Sequence, residues 1–140
     1  MEGSASDQET PSSKPALRVL FLEDREADWE LAERELRKNG LTFSNRRVET
    51  EEAFQNALHE FCPDLIIADY SLPQFNASRA FEIIQQVRTD MPFILFSGSV
   101  TEAVLVNFLQ GGMKYYVKKE NVNRLGLVVR QALKEQTERQ

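Results

Sequence analysis

Cysteine and histidine are nearly missing: the 140 residues contain one of each, Cys62 and His59. A single thiol excludes an internal disulfide framework and fits a reducing compartment. Neither a two-histidine metal site nor a cysteine-rich zinc site can be assembled from that stock, and a Ser-His-Asp triad would have to use His59. That histidine closes a stretch of helical periodicity from Glu52, with no nucleophile motif beside it, and reads as an ordinary helix-surface residue. No apolar run approaches the roughly 18 residues that cross a bilayer. The N-terminus lacks the basic-then-apolar order of a secretory signal. Positive charge is in deficit, since 17 Lys and Arg face 22 Asp and Glu for a net charge of −5. That balance argues against nucleic acid as the main partner, because neutralising phosphates needs clustered cations. What is left, 41% hydrophobic and 28% charged residues, reads as a soluble, acidic, cytoplasmic single domain that can bury a core without staples.

Large apolar side chains are also scarce in residues 1–15, which are rich in Ser, Glu, Gln and Pro. Such a segment cannot offset its ordering entropy and is expected to be a disordered leader. From Ala16 onward, short apolar runs alternate with helical spacing. The runs Leu17–Leu22, Asp64–Asp69, Pro92–Phe96 and Tyr115–Lys118 predict strands, and Leu41–Val48 a weaker edge strand. Helices are predicted over Ala27–Lys38, with a stripe of Ala27, Leu31, Ala32 and Leu36, and over Glu51–Glu60 behind a Thr50 N-cap. Three more are predicted over Ser78–Arg88, Thr101–Gln110 and from Val122 to about Gln136. Five β-then-α units with short connections imply a doubly wound (βα)5 parallel sheet with helices on both faces. Ligands of such sheets bind beyond the carboxyl ends of the strands.

Those strand ends carry Glu23 and Asp24 after the first run, Asp69 after the third, Ser97 after the fourth, and Lys118-Lys119 after the fifth. A strand-end acid is ordinarily solvated or caps a helix, and loops are only an enriched location for function. Here, however, three carboxylates, a hydroxyl and an ammonium would share one edge of the sheet. Clustered carboxylates repel unless a cation sits among them, and a hard ion such as Mg²⁺ suits oxygen ligands. Beside an Asp and opposite an ammonium, these are the parts for phosphoryl transfer to that Asp.

Four segments together, Phe21–Asp24, Pro63–Pro73, Pro92–Gly98 and Gly112–Lys119, make the chain resemble a response-regulator receiver domain of the type that accompanies sensory histidine kinases. The resemblance covers about Leu17 to Leu133. It implies a receiver domain over 16–136 with the flavodoxin-like strand order 2-1-3-4-5, followed by a polar helix end or linker over 137–140. It makes Asp69 the phosphoacceptor, Asp24 a direct Mg²⁺ ligand, Glu23 a ligand through a metal-bound water, and the backbone carbonyl of Ser71 a further ligand. Ser97 takes the family's hydroxyl switch position, Lys119 the site lysine and Tyr116 the switch aromatic, while Lys118 faces away. The implied function is a cytoplasmic, bacterial phosphorelay switch rather than a dedicated enzyme. A sensor histidine kinase or histidine phosphotransfer protein would supply the phosphoryl group, and neither nucleic acid nor membrane would be bound by this domain. The output would appear at the fourth helix, fifth strand and fifth helix.

Some positions depart from the family pattern. Glu120 stands where relatives carry proline, so a trans Lys119–Glu120 bond is expected. Ala77 stands where glycine is favoured and would be strained if that position required φ > 0. Between Ala103 and Leu109 only Asn107 is polar, more apolar surface than one buried stripe needs, which predicts an exposed apolar patch for a second copy or a downstream effector. Trp29 falls off the Ala27/Leu31 stripe, either as an exposed docking anchor or packed against its own loop. Two other functions stay open: a pseudo-receiver that makes protein contacts without phosphorylation, and a Mg²⁺-dependent phosphohydrolase of the haloacid dehalogenase type. The latter typically needs a second Asp where this chain has Ser71.

Overall fold

The computed structural model describes residues 16–139 apart from 89 and 99, with side chains left out at 138 and 139. The expected leader, 1–15, and the last residue of the expected linker lie outside the described residues.

Three strands are buried from end to end or nearly so, and they form the centre of the sheet. β1 (Leu17–Leu22), β3 (Leu65–Ala68) and β4 (Phe93–Ser97) are near-continuous apolar runs, as burial on both faces demands. β2 (Phe43–Val48) and β5 (Tyr115–Lys118) carry exposed polar residues and close the two edges. All pairings are parallel, in the order β2-β1-β3-β4-β5.

Strand alternation divides the core in two. Leu20, Leu22, Ile66, Ala68 and Leu95 face α2 (Glu51–Glu60), α3 (Ala77–Val87) and α4 (Glu102–Gln110), which contribute Phe54, Ala80, Ile84 and Phe108. Val19, Phe21, Leu65, Ile67, Ile94 and Phe96 face α1 (Glu26–Lys38) and α5 (Leu125–Arg139), which contribute Ala32, Leu36, Leu125, Val129 and Ala132. Full burial of a side chain such as Leu36 contributes about 1.5–3 kcal/mol. No described helix is long and apolar enough to cross a membrane.

Helix ends follow local chemistry. Thr50, Asn76 and Thr101 each accept a backbone N–H from the first turn of α2, α3 and α4. Gly40 (φ +84°) ends α1 in the left-handed region that favours glycine, and Cys62 (φ +52°) takes the same conformation beyond α2. Ala77 is fully buried inside α3 and has no positive φ, so the glycine-like strain considered above does not arise. The Lys119–Glu120 bond is trans.

Three expectations need correction. The buried stripe of α1 is Trp29, Ala32 and Leu36, not Ala27 and Leu31, both of which are exposed. Those three positions have the i, i+3, i+7 spacing of one helix face. Trp29 is half-buried against β2 rather than its own loop, and its Nε1–H donates to Asn45 Oδ1 at 2.9 Å. Arg47 stacks on the same ring at 5.5 Å, so the indole is held within the domain. The last helix also starts later than Val122: Lys119–Arg124 is a 3₁₀ helix interrupted at Asn121 (φ −108°, ψ 40°), and regular helix begins at Leu125.

α4 behaves as its composition predicts. Phe108 is buried, while Ala103, Val106 and Leu109 are exposed.

Candidate functional site

The sheet ladder continues one residue past β1 and β3, and this fixes the acids. Glu23 N–H donates to Val48 O at 3.1 Å and Asp69 N–H to Leu22 O at 2.9 Å. Both side chains are then carried into the space where the winding reverses between β1 and β3, although Glu23 is only 3% and Asp69 only 4% exposed. Asp24 is half-buried beside them. Glu23, Asp24 and Asp69 each present a carboxylate oxygen within 4.8 Å of the others, a set of hard oxygen donors of the kind a divalent cation prefers.

Ser97 and Lys119 reach the same aspartate from β4 and from the residue after β5. Ser97 Oγ–H donates to Asp69 Oδ1 at 2.6 Å, and its oxygen lies 3.4 Å from the Tyr70 N–H. Lys119 Nζ donates to Asp69 Oδ2 at 2.8 Å and pairs with Glu23 Oε1 at 2.9 Å. The Ser71 N–H adds a bond to Asp69 Oδ1 at 3.1 Å, which ties the following loop to the acid. Glu23 Oε2 accepts the Arg25 N–H at 3.1 Å.

Charge states follow from these contacts. Burial alone would raise the Asp69 carboxyl, but hydrogen bonds from Lys119, Ser97 and the Ser71 N–H outweigh it and hold the group below its ordinary value. Glu23 goes the other way, pushed up to about 7 by burial that its Lys119 contact only partly offsets. Burial would lower the Lys119 ammonium, yet hydrogen bonds with Asp28, Asp69 and Glu23 raise it above the usual lysine value. At neutral pH the site therefore holds an ionised Asp69, a protonated Lys119 and a Glu23 near half-titration.

Glu23, Asp24, Asp69, Ser97 and Lys119 thus meet at one place. Tyr116 is half-buried one step away, and its hydroxyl donates to the carbonyl of Gly98, the residue after Ser97, at 3.0 Å. Burial and then the charge of Glu120 raise that hydroxyl above its ordinary value. Lys118 is exposed. His59 is exposed on the last turn of α2.

One participant was missed in the sequence. Asp28 Oδ2 lies 2.7 Å from Lys119 Nζ, the shortest of that lysine's three ion pairs. Asp28 is the third residue of α1, and helical side chains lean toward the N-terminus of their helix. An acid in the first turn after a strand-end acid pair is therefore aimed back at the strand ends, a signal that was present in Glu23-Asp24-Arg25-Glu26-Ala27-Asp28.

Comparison with known proteins agrees with this architecture. The family model described as response regulator receiver domain matches residues 19–130. A curated relative, transcription factor SKN7 of Saccharomyces cerevisiae, is 26% identical over 110 residues, covering 79% of this chain and 17% of its own length. The chain thus spans under a fifth of that relative. A CheY-like receiver domain protein from Methanospirillum hungatei superposes with a TM-score of 0.79 at 20% identity, covering 90% of this chain and all of the other. The phosphorylated cyanobacterial phytochrome response regulator RcpA gives 0.68 at 21% identity, with 82% and 89% covered. At those identities the structural likeness speaks for the fold.

Proposed function

The chain belongs to the response regulator receiver domain family, and on that premise we propose that it is a phosphorelay switch in which Asp69 accepts a phosphoryl group from a partner's phosphohistidine. The observation that carries the proposal is the convergence of Ser97 Oγ at 2.6 Å and Lys119 Nζ at 2.8 Å on the two oxygens of one ionised, buried carboxylate. A carboxylate oxygen of Asp69 attacks phosphorus, a P–O bond forms, and the P–N bond to the donor imidazole breaks. Its electron pair stays on the imidazole nitrogen, which takes up a proton.

Ser97 and Lys119 supply fixed donors for the charge that develops on the transferred oxygens, which is most of what a protein contributes to this reaction. Glu23, Asp24 and Asp69, with the Ser71 carbonyl, would hold Mg²⁺. When bound, that ion neutralises charge between the incoming phosphoryl group and the acceptor. The acyl phosphate adds close to two negative charges and three strong acceptors at Asp69. Ser97 and Lys119 follow those acceptors, Tyr116 gives up the Gly98 carbonyl and turns into the space that Ser97 leaves, and α4 repacks.

The apolar residues α4 exposes, Ala103, Val106 and Leu109, are the surface offered to a second copy or a downstream effector. The donor would be a sensor histidine kinase or a histidine phosphotransfer protein, in the cytoplasm. A relative in yeast means that family membership alone does not assign the chain to a bacterium.

Beryllofluoride, which mimics an acyl phosphate, tests the assignment. With Mg²⁺ it should shift amide resonances around Asp69, Gly98 and Tyr116, and Asp69→Asn should abolish the response. A wild-type spectrum that does not change under those conditions would favour the pseudo-receiver.

A further inference from the structure

Lys119 has three N–H bonds and, among the described residues, three carboxylate partners, one of which stands outside the acidic set. Glu23 and Asp69 belong with Asp24 to the converging group of oxygens. Asp28 does not: it sits in the first turn of α1 and approaches the ammonium from that side. Its side chain is 25% exposed, against 5% for Glu23 and 4% for Asp69. Asp28 therefore faces solvent as well as the ammonium, which the two inner acids do not. Its other charged neighbour, Arg25 Nε at 3.3 Å, belongs to a side chain that is 71% exposed and so binds it weakly.

The three contacts respond differently once the site is loaded. A cation held by Glu23, Asp24 and Asp69 would draw on oxygens that Lys119 uses, which would leave Asp28 as the ammonium's partner outside that set. A phosphoryl group on Asp69 would instead present Lys119 with further strong acceptors, in competition with Asp28.

Building on the phosphoacceptor reading above, we propose that Asp28 is a positioning residue acting through Lys119: it anchors the ammonium at the rim of the site so that a divalent cation can take the inner carboxylates, and it competes with the phosphoryl group for the same three N–H bonds. Asp28 thereby favours metal binding and limits how tightly the phosphorylated state is held. The two effects have opposite signs, which a merely structural role would not produce. If Asp28 only held α1 in place, its loss would weaken both.

Asp28→Asn keeps the size and one acceptor but removes the charge, and Asp28→Glu restores the charge on a longer arm. For one partly screened charge at this range the expected changes are roughly 3- to 10-fold. Titration of the metal-free chain with Mg²⁺ should show Asp28→Asn binding more weakly by that factor, with Asp28→Glu closer to wild type. At saturating Mg²⁺, beryllofluoride should bind Asp28→Asn more tightly than wild type. In the metal-free protein, the ζ protons of Lys119 followed by nitrogen NMR should exchange faster in Asp28→Asn. Weakening of both Mg²⁺ and beryllofluoride together, no change in either, or unaltered ζ exchange would each overturn the proposal while leaving wild-type binding in place. Absence of beryllofluoride binding by wild type itself would overturn the phosphoacceptor reading and this proposal with it.

Discussion

Replacing Lys119 by methionine keeps much of the stem's bulk and removes the ammonium that pairs Glu23 and Asp69. Both acids are almost fully buried, and stripping the partner from a buried ion pair costs about 3–5 kcal/mol. Three features reduce that figure here. Lys119 is itself 18% exposed, Ser97 and the Ser71 N–H remain on Asp69, and Glu23 can relieve the repulsion by binding a proton. A loss of about 2–3 kcal/mol is therefore expected near pH ~8 without metal.

The pH dependence follows from the direction of each shift. Lys119 is raised above its ordinary value, so its contribution is complete below that value and does not fade in the working range. Asp69 is lowered, so its contribution is present above the ordinary carboxylate value and is lost only in acid. Glu23 is raised from 4.5 to about 7; its folded form keeps a proton that the unfolded chain has released, so its contribution is lost as pH rises through about 7. Near pH ~5.5, with Glu23 neutral, the methionine variant should lose only about 1–2 kcal/mol. Urea unfolding followed by circular dichroism measures this: at a slope of ~1.5–2 kcal/mol/M the midpoint should fall by about 1–2 M near pH ~8. Saturating Mg²⁺ should restore most of that loss by taking the lysine's place as counter-charge. A metal-free variant that unfolds at the wild-type midpoint, or one whose loss is the same at both pH values, would refute the electrostatic reasoning.

Other outcomes can be checked as directly. Ser97→Ala removes a buried 2.6 Å bond to an ionised carboxylate and should cost about 1–3 kcal/mol. It should also raise the Asp69 carboxyl, read by carbon NMR titration; an unshifted Asp69 would contradict the contact. If Glu23 helps to hold Mg²⁺, a proton on it would compete with the metal and Mg²⁺ affinity should fall about tenfold from pH ~8 to pH ~6, whereas a flat calorimetric profile would count against Glu23 as part of the metal set. At Gly126 an added Cβ would sit 2.5 Å from Asn39 Cγ, where α5 crosses the end of α1. Gly126→Val should therefore destabilise by about 1–3 kcal/mol, and an unchanged melting temperature would show that this approach is loose.

The parts of the fold and site that were legible in the sequence are those governed by local pattern. Asp64–Asp69 and Pro92–Phe96 read as buried strands because their interiors carry no polar residue, and their ends then placed Asp69 and Ser97 together. Thr50 could be named as an N-cap because capping depends on a single side chain, and the outward face of α4 followed from Asn107 standing alone among apolar neighbours. What escaped was set by tertiary contact. The choice between Leu31 and Trp29 as the inward residue of α1 depends on how the helix is rotated on β2, where Asn45 and Arg47 receive the indole. Asp28 escaped because its partner is 91 residues away. The 3₁₀ segment at Lys119–Arg124 escaped because residue preferences scarcely separate it from the first turns of α5.

The most direct test of the central claim is to locate a transferred phosphoryl group on the full chain. After incubation with Mg²⁺ and a small-molecule or phosphohistidine donor, borohydride reduction converts an aspartyl phosphate to homoserine, which peptide mass spectrometry can place. One homoserine at position 69, absent from Asp69→Asn and dependent on Mg²⁺, is the expected result. No modification, or a phosphoryl group carried elsewhere while Asp69 stays untouched, would contradict the account.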